Sequence, residues 1–105
     1  MAQFSVYQNR NVQAKKTYPF LLEIQSNLLS DLVTTVVVPL MKFERNKAKV
    51  LTGLTPVFLL DQQEFLMLTP QLAGIQRKEL GKLAFDLSDA RAEIVGALDF
   101  LISGV

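Results

Sequence analysis

The sequence contains no cysteine and no histidine. Without cysteine there is no disulfide framework, thiol nucleophile, thiolate zinc site or iron–sulfur cluster. Without histidine, the usual general base near neutral pH and the commonest metal ligand are both missing. Ser-His and Cys-His triads and HExxH metalloproteases are therefore excluded. Catalysis, if there is any, falls to Asp, Glu, Lys, Arg or Tyr, and the balance favours a binding protein. Walker A, GxGxxG, EF-hand and lipidation signatures are absent as well. So are low-complexity stretches, internal repeats and Gly/Ser linkers. The longest apolar run near the middle covers residues 36–41, far short of the about 20 residues that a bilayer span needs. Residues 1–7 alternate polar and apolar, with no apolar segment behind a basic start, so no targeting segment is expected. Nor is one sign of charge in large excess. The net charge is +1 and the pI about 8.0, below the ~9 typical of dedicated nucleic-acid binders. These absences describe a cytoplasmic protein of a single domain over residues 1–105, with no membrane association, cofactor or metal.

What is present is apolar character. Half of the 105 residues are hydrophobic, and the mean hydropathy is +0.25. A domain of this size buries only roughly 60–70% of the surface its unfolded chain exposes. Some apolar surface should therefore stay outside, and such a patch on a small protein usually marks a partner.

Residues 3–7 alternate, with Phe4 and Val6 on one face and Gln3, Ser5 and Tyr7 on the other, which predicts a half-buried strand. Residues 9–17 have no period and carry Arg10, Lys15 and Lys16 without an acid, hence a basic loop. A second strand over residues 18–25 puts Phe20, Leu22 and Ile24 on one side, and Pro19 suits a strand end. Residues 26–32 predict a turn or short helical segment. The β-branched run over 34–41 reads as a buried strand interrupted by Pro39, hence a bulge or an edge. In residues 42–49, Lys42, Arg45, Lys47 and Lys49 stand against Glu44; a solvated loop explains them better than a phosphate site. Runs at 55–60 and 64–69, joined by Asp61-Gln62-Gln63, predict a β-hairpin. Residues 75–80 form a further candidate strand ending at Gly81, where the β-signal stops.

From Ser88 onward the period becomes helical. Ser88 is the candidate N-cap, and Asp89 and Glu93 suit the positive end of the helix dipole. Ile94, Leu98, Leu101 and Val105 form the apolar stripe, widened by Val95 and Ile102. Gly104 occupies the place of a C-cap. Phe100 falls in the opposite arc, among Asp89, Ala92, Glu93, Gly96, Asp99 and Ser103. It either touches a loop or marks a partner surface with Ser103 and Gly104. The expected architecture is mainly β, a small antiparallel sheet followed by one C-terminal helix. The carboxylates are scattered, and Asp89 with Glu93 reads better as a solvated face than as a cation site. A ribonuclease could still be built from an Arg with Thr or Ser, with Arg10, Arg77 and Arg91 as candidates.

Several ordered elements resemble a known family. They are Gln3-Phe4-x-Val6-Tyr7, Ile24-Gln25-Ser26-Asn27-Leu28-Leu29, Val38-Pro39-Leu40, Pro56-Val57, Met67-x-Thr69, Asp86-Leu87-Ser88 and the terminal Ser103-Gly104-Val105. In this order and spacing they resemble the CcdB family of toxins from bacterial toxin–antitoxin (plasmid addiction) modules. The resemblance implies a homodimer with an SH3-like β-barrel core of the CcdB/MazF-like type. It also implies a protein that is not an enzyme. Such toxins bind the DNA gyrase A subunit and trap the complex with cleaved DNA. A CcdA-like antitoxin neutralises them, and the pair represses its own operon, so operator DNA is met only through that complex.

Carried over residue by residue, the gyrase contacts fall on Ser103, Gly104, Val105 and Asp99, with Leu28 and Leu29 in the same region and Phe100 beside them. The best-known members carry Trp where this chain has Ser103, Asn at Asp99 and an acid at Arg91. Antitoxin binding is expected at the apolar sheet edge and at Arg10, Lys15, Lys16, Lys42, Arg45, Lys47 and Lys49, whose charge would steer an acidic disordered segment. Plain solubility explains the same cations. The alternative function is a MazF-like endoribonuclease, whose fold looks similar.

Overall fold

Alternating and β-branched runs in this chain pair into an antiparallel sheet. The computed structural model describes residues 3–46 and 49–104. Its strands are β1 (Ser5–Asn9), β2 (Phe20–Glu23), β3 (Thr34–Lys42), β4 (Val57–Leu60), β5 (Gln63–Met67), β6 (Ala73–Gln76) and β7 (Leu80–Asp86). The helix α1 (Arg91–Ser103) closes the chain. The strand order is β4-β5-β3-β2-β1-β7, and β6 pairs beside β3. The fold is thus mainly β with a C-terminal helix, as the sequence predicts.

Strand β3 is the hub. Residues 34–37 pair with β6, residues 40–42 pair with β5, and β2 runs along its other side. Pro39 therefore marks neither an edge nor a break, contrary to expectation. Its carbonyl accepts the Leu68 N–H at 3.1 Å, and its missing N–H falls at the end of the β3–β5 ladder, where the partner changes from β6 to β5 and the loss costs least.

Period-two alternation across paired strands makes two apolar faces. Val6, Leu22 and Val38 line up through the β1–β2 and β2–β3 registers. With Leu40, Met67, Ile94 and Ala97 they form the main core. Phe20 packs edge-on against Phe65 at 5.2 Å and Phe85 at 5.5 Å between ring centroids. On the other face Tyr7, Leu21, Val37 and Leu80 make a smaller cluster. Strand β1 is therefore buried on both faces, not on one; Ser5 and Tyr7 are inside with Val6.

The hairpin is present, with a tighter turn than expected. Gln63 belongs to β5, and Asp61 and Gln62 alone make the turn, at φ 53° and 66°. The β-signal also does not stop at Gly81. Strand β7 continues to Asp86 and pairs with β1, but with register shifts at Val6/Tyr7 and Tyr7/Asn9. Those bulges break the alternation, which leaves Lys82 and Leu83 both exposed; period counting cannot follow such a strand.

The helix entry differs too. Ser88 is not the N-cap: Ser88–Ala90 form a 3-10 turn, Ala90 takes the cap position, and no side chain caps there. The carboxylate that serves this junction is Asp86, whose Oδ1 accepts the Ser88 N–H at 2.9 Å. Those hydrogen bonds from Ser88 hold the Asp86 carboxyl below its ordinary value. The predicted stop is correct. Gly104 adopts φ 75° and donates its N–H to Phe100 O at 2.8 Å, the left-handed ending that glycine favours.

Candidate functional site

The end of α1 is shaped by what it packs against and what it leaves outside. Ile94 and Ala97 are buried, and Val95 and Leu98 pack on the core beside them. One turn later the chain turns outward. Ile102 is 83% exposed, although the apolar stripe assigns it to the core. Leu98, four residues earlier on the same face, still packs on the core, so the core ends one turn before the helix does and Ile102 is left outside. Asp99, Ile102, Ser103 and Gly104 are all exposed. The Ser103 hydroxyl donates to its own helix, to Asp99 O at 2.7 Å. Val105, the remaining member of the expected triplet, lies outside the described residues.

Phe100 touches the loop that carries Gly53. Its ring stands beside Gly53, where a Cβ would meet it at 3.2 Å, and Gly53 itself sits at φ 81°. The ring is still 39% exposed. Phe100, Gly96 and Glu93 on the helix face Val50, Gly53 and Pro56 across a groove of about 420 Å³. The loop contact and an open flank coexist.

Leu28 and Leu29 occupy a 3-10 turn, Asn27–Leu29, started by Ser26, whose Oγ accepts the Leu28 N–H at 3.1 Å. Leu28 is 93% exposed. The hydrogen bonds of this turn lead to Gln3, through Asn27 Oδ1 at 2.7 Å, and to Arg77, through Leu29 O at 3.3 Å. They do not lead to the helix end. Leu32 and Val33 are exposed on the same stretch, which extends the apolar patch beyond the two leucines. Sequence reasoning missed Leu32 and Val33 because a polar-framed turn carries no periodic signal; it missed Ile102 by placing it on the buried stripe.

The basic residues gather at one end of the sheet. Strand β1 ends at Asn9, β2 begins at Phe20, β3 ends at Lys42, and these strands are antiparallel neighbours. Both basic loops consequently leave the sheet on the same side. Arg10, Lys15 and Lys16, with Gln8 and Phe20, line an open depression of about 630 Å³. Arg10 is anchored there by donating Nη1 to Lys78 O at 3.2 Å. Arg45 is less free than expected: it lies 3.5 Å from Glu64 Oε2 and 5.7 Å from the Phe43 ring centroid. At 80% side-chain exposure of the arginine that ion pair is weak. Lys49 is exposed, and Lys47 lies outside the described residues.

The three arginines weighed for ribonuclease chemistry have separate surroundings. Arg10 borders the basic depression. Arg91 lies over Phe4 at 5.4 Å and reaches Gln3 Oε1 at 3.4 Å. Arg77 does stand near Thr35, but through Glu23, and its guanidinium donors are engaged inside the protein. Among the described residues no cluster of three or more Asp or Glu is placed to hold a metal ion, and no helix is long and apolar enough to cross a membrane.

The chain is similar in fold to the solved structure of an endoribonuclease in complex with its cognate antitoxin from a mycobacterial species. The TM-score is 0.72 over 97% of this chain and 94% of that one, at 15% identity, so the likeness is one of fold alone. No curated protein matches the sequence significantly. The model of the CcdB protein family matches residues 3–104, and the chain belongs to the CcdB family of toxins from toxin–antitoxin modules.

Proposed function

We propose that this toxin acts by binding the DNA gyrase A subunit and trapping gyrase on cleaved DNA. The observation that carries this reading is the exposed end of α1, where Ile102, Ser103 and Gly104 stand outside with Phe100 half open beside them. A homodimer would present two such ends about a two-fold axis and match the symmetry of a dimeric A subunit. Gly104 lets a partner's backbone approach, while Phe100, Ile102 and Val105 supply apolar contact. Leu28 and Leu29 extend the surface. Preferential binding to the opened enzyme would shift gyrase toward that state, so the toxin needs no catalytic group. A CcdA-like antitoxin is the neutralising partner, and the complex of the two represses the operon. Its acidic flexible segment is steered to Arg10, Lys15, Lys16, Lys42 and Lys49.

The endoribonuclease alternative finds less support. Arg77 is engaged in internal hydrogen bonds, and the other two arginines have no Thr or Ser hydroxyl bonded to them. One experiment separates the readings. Purified protein is incubated with gyrase and supercoiled DNA, and separately with RNA. Gyrase-dependent DNA breaks are expected, and a folded chain lacking residues 103–105 should not produce them. Defined RNA cleavage without gyrase, or full poisoning by the truncated chain, would overturn the proposal.

A further inference from the structure

Arg77 occupies a position that ribonuclease chemistry does not explain. Its Nη1 lies 2.8 Å from Glu23 Oε2. Its Nε donates to Leu32 O at 2.7 Å, and its Nη2 donates to Leu29 O at 3.3 Å. Its backbone N–H donates to Val33 O at 2.8 Å. The anchor is rigid: Glu23 is only 2% exposed, in the middle of the sheet, and the same Oε2 accepts the Thr35 hydroxyl at 2.6 Å. One edge of the guanidinium is thus fixed on a carboxylate inside the sheet, and the other donors hold two carbonyls of the segment over residues 29–32.

That segment adjoins two strongly exposed apolar residues, Leu28 at 93% and Val33 at 81%. A surface turn with Leu28 in water and Leu29 47% exposed gains little from burial. Its shape must come from elsewhere, and the planar fork of arginine holds several acceptors in one fixed geometry that a compact, rotating ammonium does not impose. Ordering a turn before a partner arrives removes part of the entropy cost of binding.

We infer that Arg77 is a positioning residue: braced on Glu23, it holds the Leu28–Leu29 turn in the shape that the gyrase A subunit meets. This rests on the gyrase reading given above and adds a residue that touches no partner.

The test pairs a local measurement with a binding one. Arg77→Met alone strands the buried Glu23 carboxylate and risks unfolding. The double variant Glu23→Gln/Arg77→Met removes both charges, and replacing a buried ion pair by neutral groups is often tolerated. Thermal melting of the double variant should stay close to wild type. Amide exchange at Leu29, Ser30 and Leu32, read by NMR, should rise about tenfold while β3 amides stay unchanged. Affinity for purified gyrase A subunit should fall about tenfold, and Glu23→Gln/Arg77→Met should add no further loss to Leu28→Ala/Leu29→Ala. Unchanged exchange at these amides, a rise shared with β3, or additive losses would overturn the inference. Wild-type protein that fails to bind the A subunit would sink the gyrase reading instead, and the exchange measurement would still decide the clamp.

Discussion

Gly81 in β7 lies so close to Gln8 in β1 that a Cβ on the glycine would meet the Gln8 carbonyl oxygen at 2.8 Å. The contact sits beside the shift of register between Tyr7/Leu83 and Asn9/Leu80. A backbone carbonyl cannot swing aside as a side chain can. Gly81→Ala should therefore push β7 from β1 and lower the unfolding free energy by about 1–3 kcal/mol. Urea denaturation measures it, and a neutral result would show that the β1–β7 ladder yields at no cost.

Gly81 also shows where sequence reasoning stops. A lone glycine after an apolar run reads as punctuation, and here it is a strand residue chosen for space. The strands with regular alternation or β-branched runs, β2, β3 and the β4–β5 hairpin, were legible. Strand β7 was not, because its bulges place Lys82 and Leu83 outside in succession. For the candidate site, the Gly104 stop follows from the sequence; the helical period leaves Phe100 open between a loop contact and a partner surface, and Leu28 and Leu29 enter only through the family resemblance. The exposure of Ile102 does not follow, since a helix wheel cannot tell that the core ends one turn before the helix does. The Arg77–Glu23 pair spans 54 residues, and no local pattern joins such residues.

The hairpin turn offers a stabilising change. Asp61 and Gln62 both sit at positive φ, 53° and 66°, the two-residue geometry for which Asp-Gly is the favoured pair. A side chain in that region costs roughly 1–2 kcal/mol, part of which glycine returns as unfolded-state entropy. Gln62→Gly should raise stability by about 0.5–1 kcal/mol, with the midpoint of denaturation moving up and the slope unchanged.

The junction between β7 and α1 should respond to acid. Hydrogen bonds from the Ser88 backbone and side chain lower the Asp86 pKa. A carboxylate with a depressed folded-state pKa contributes stability above its unfolded value, and that contribution disappears as pH falls through the folded one. Asp86→Asn keeps an oxygen for the Ser88 N–H but does not titrate. Wild type should exceed the variant near neutral pH, and the difference should close below about pH 4. Denaturation at a series of pH values checks this, and a gap that persists in strong acid would point to shape and not charge.

The basic depression predicts a kinetic effect. If Arg10, Lys15 and Lys16 steer an acidic antitoxin segment, the charge reversal Lys15→Glu/Lys16→Glu should slow association about tenfold or more at low salt, with a smaller change in dissociation. The difference should shrink as salt screens it. Stopped-flow binding of an acidic antitoxin peptide reads both rates. A loss carried by faster dissociation would place these lysines in a packed contact.

Position 103 tests the gyrase surface by gain. Ser103 is exposed and its hydroxyl bonds only to its own helix, at Asp99 O. It offers a partner little area. Well-known members of the family resembled here carry Trp at this place, and an indole beside exposed Ile102 would supply the large flat anchor that dominates many interfaces. Ser103→Trp should leave thermal stability unchanged, because the side chain replaces nothing buried. It should tighten binding to the gyrase A subunit by about tenfold or more. Titration calorimetry with the purified A subunit measures this. An affinity that does not move would shift the anchor away from position 103, toward Phe100 and the groove beside Gly53.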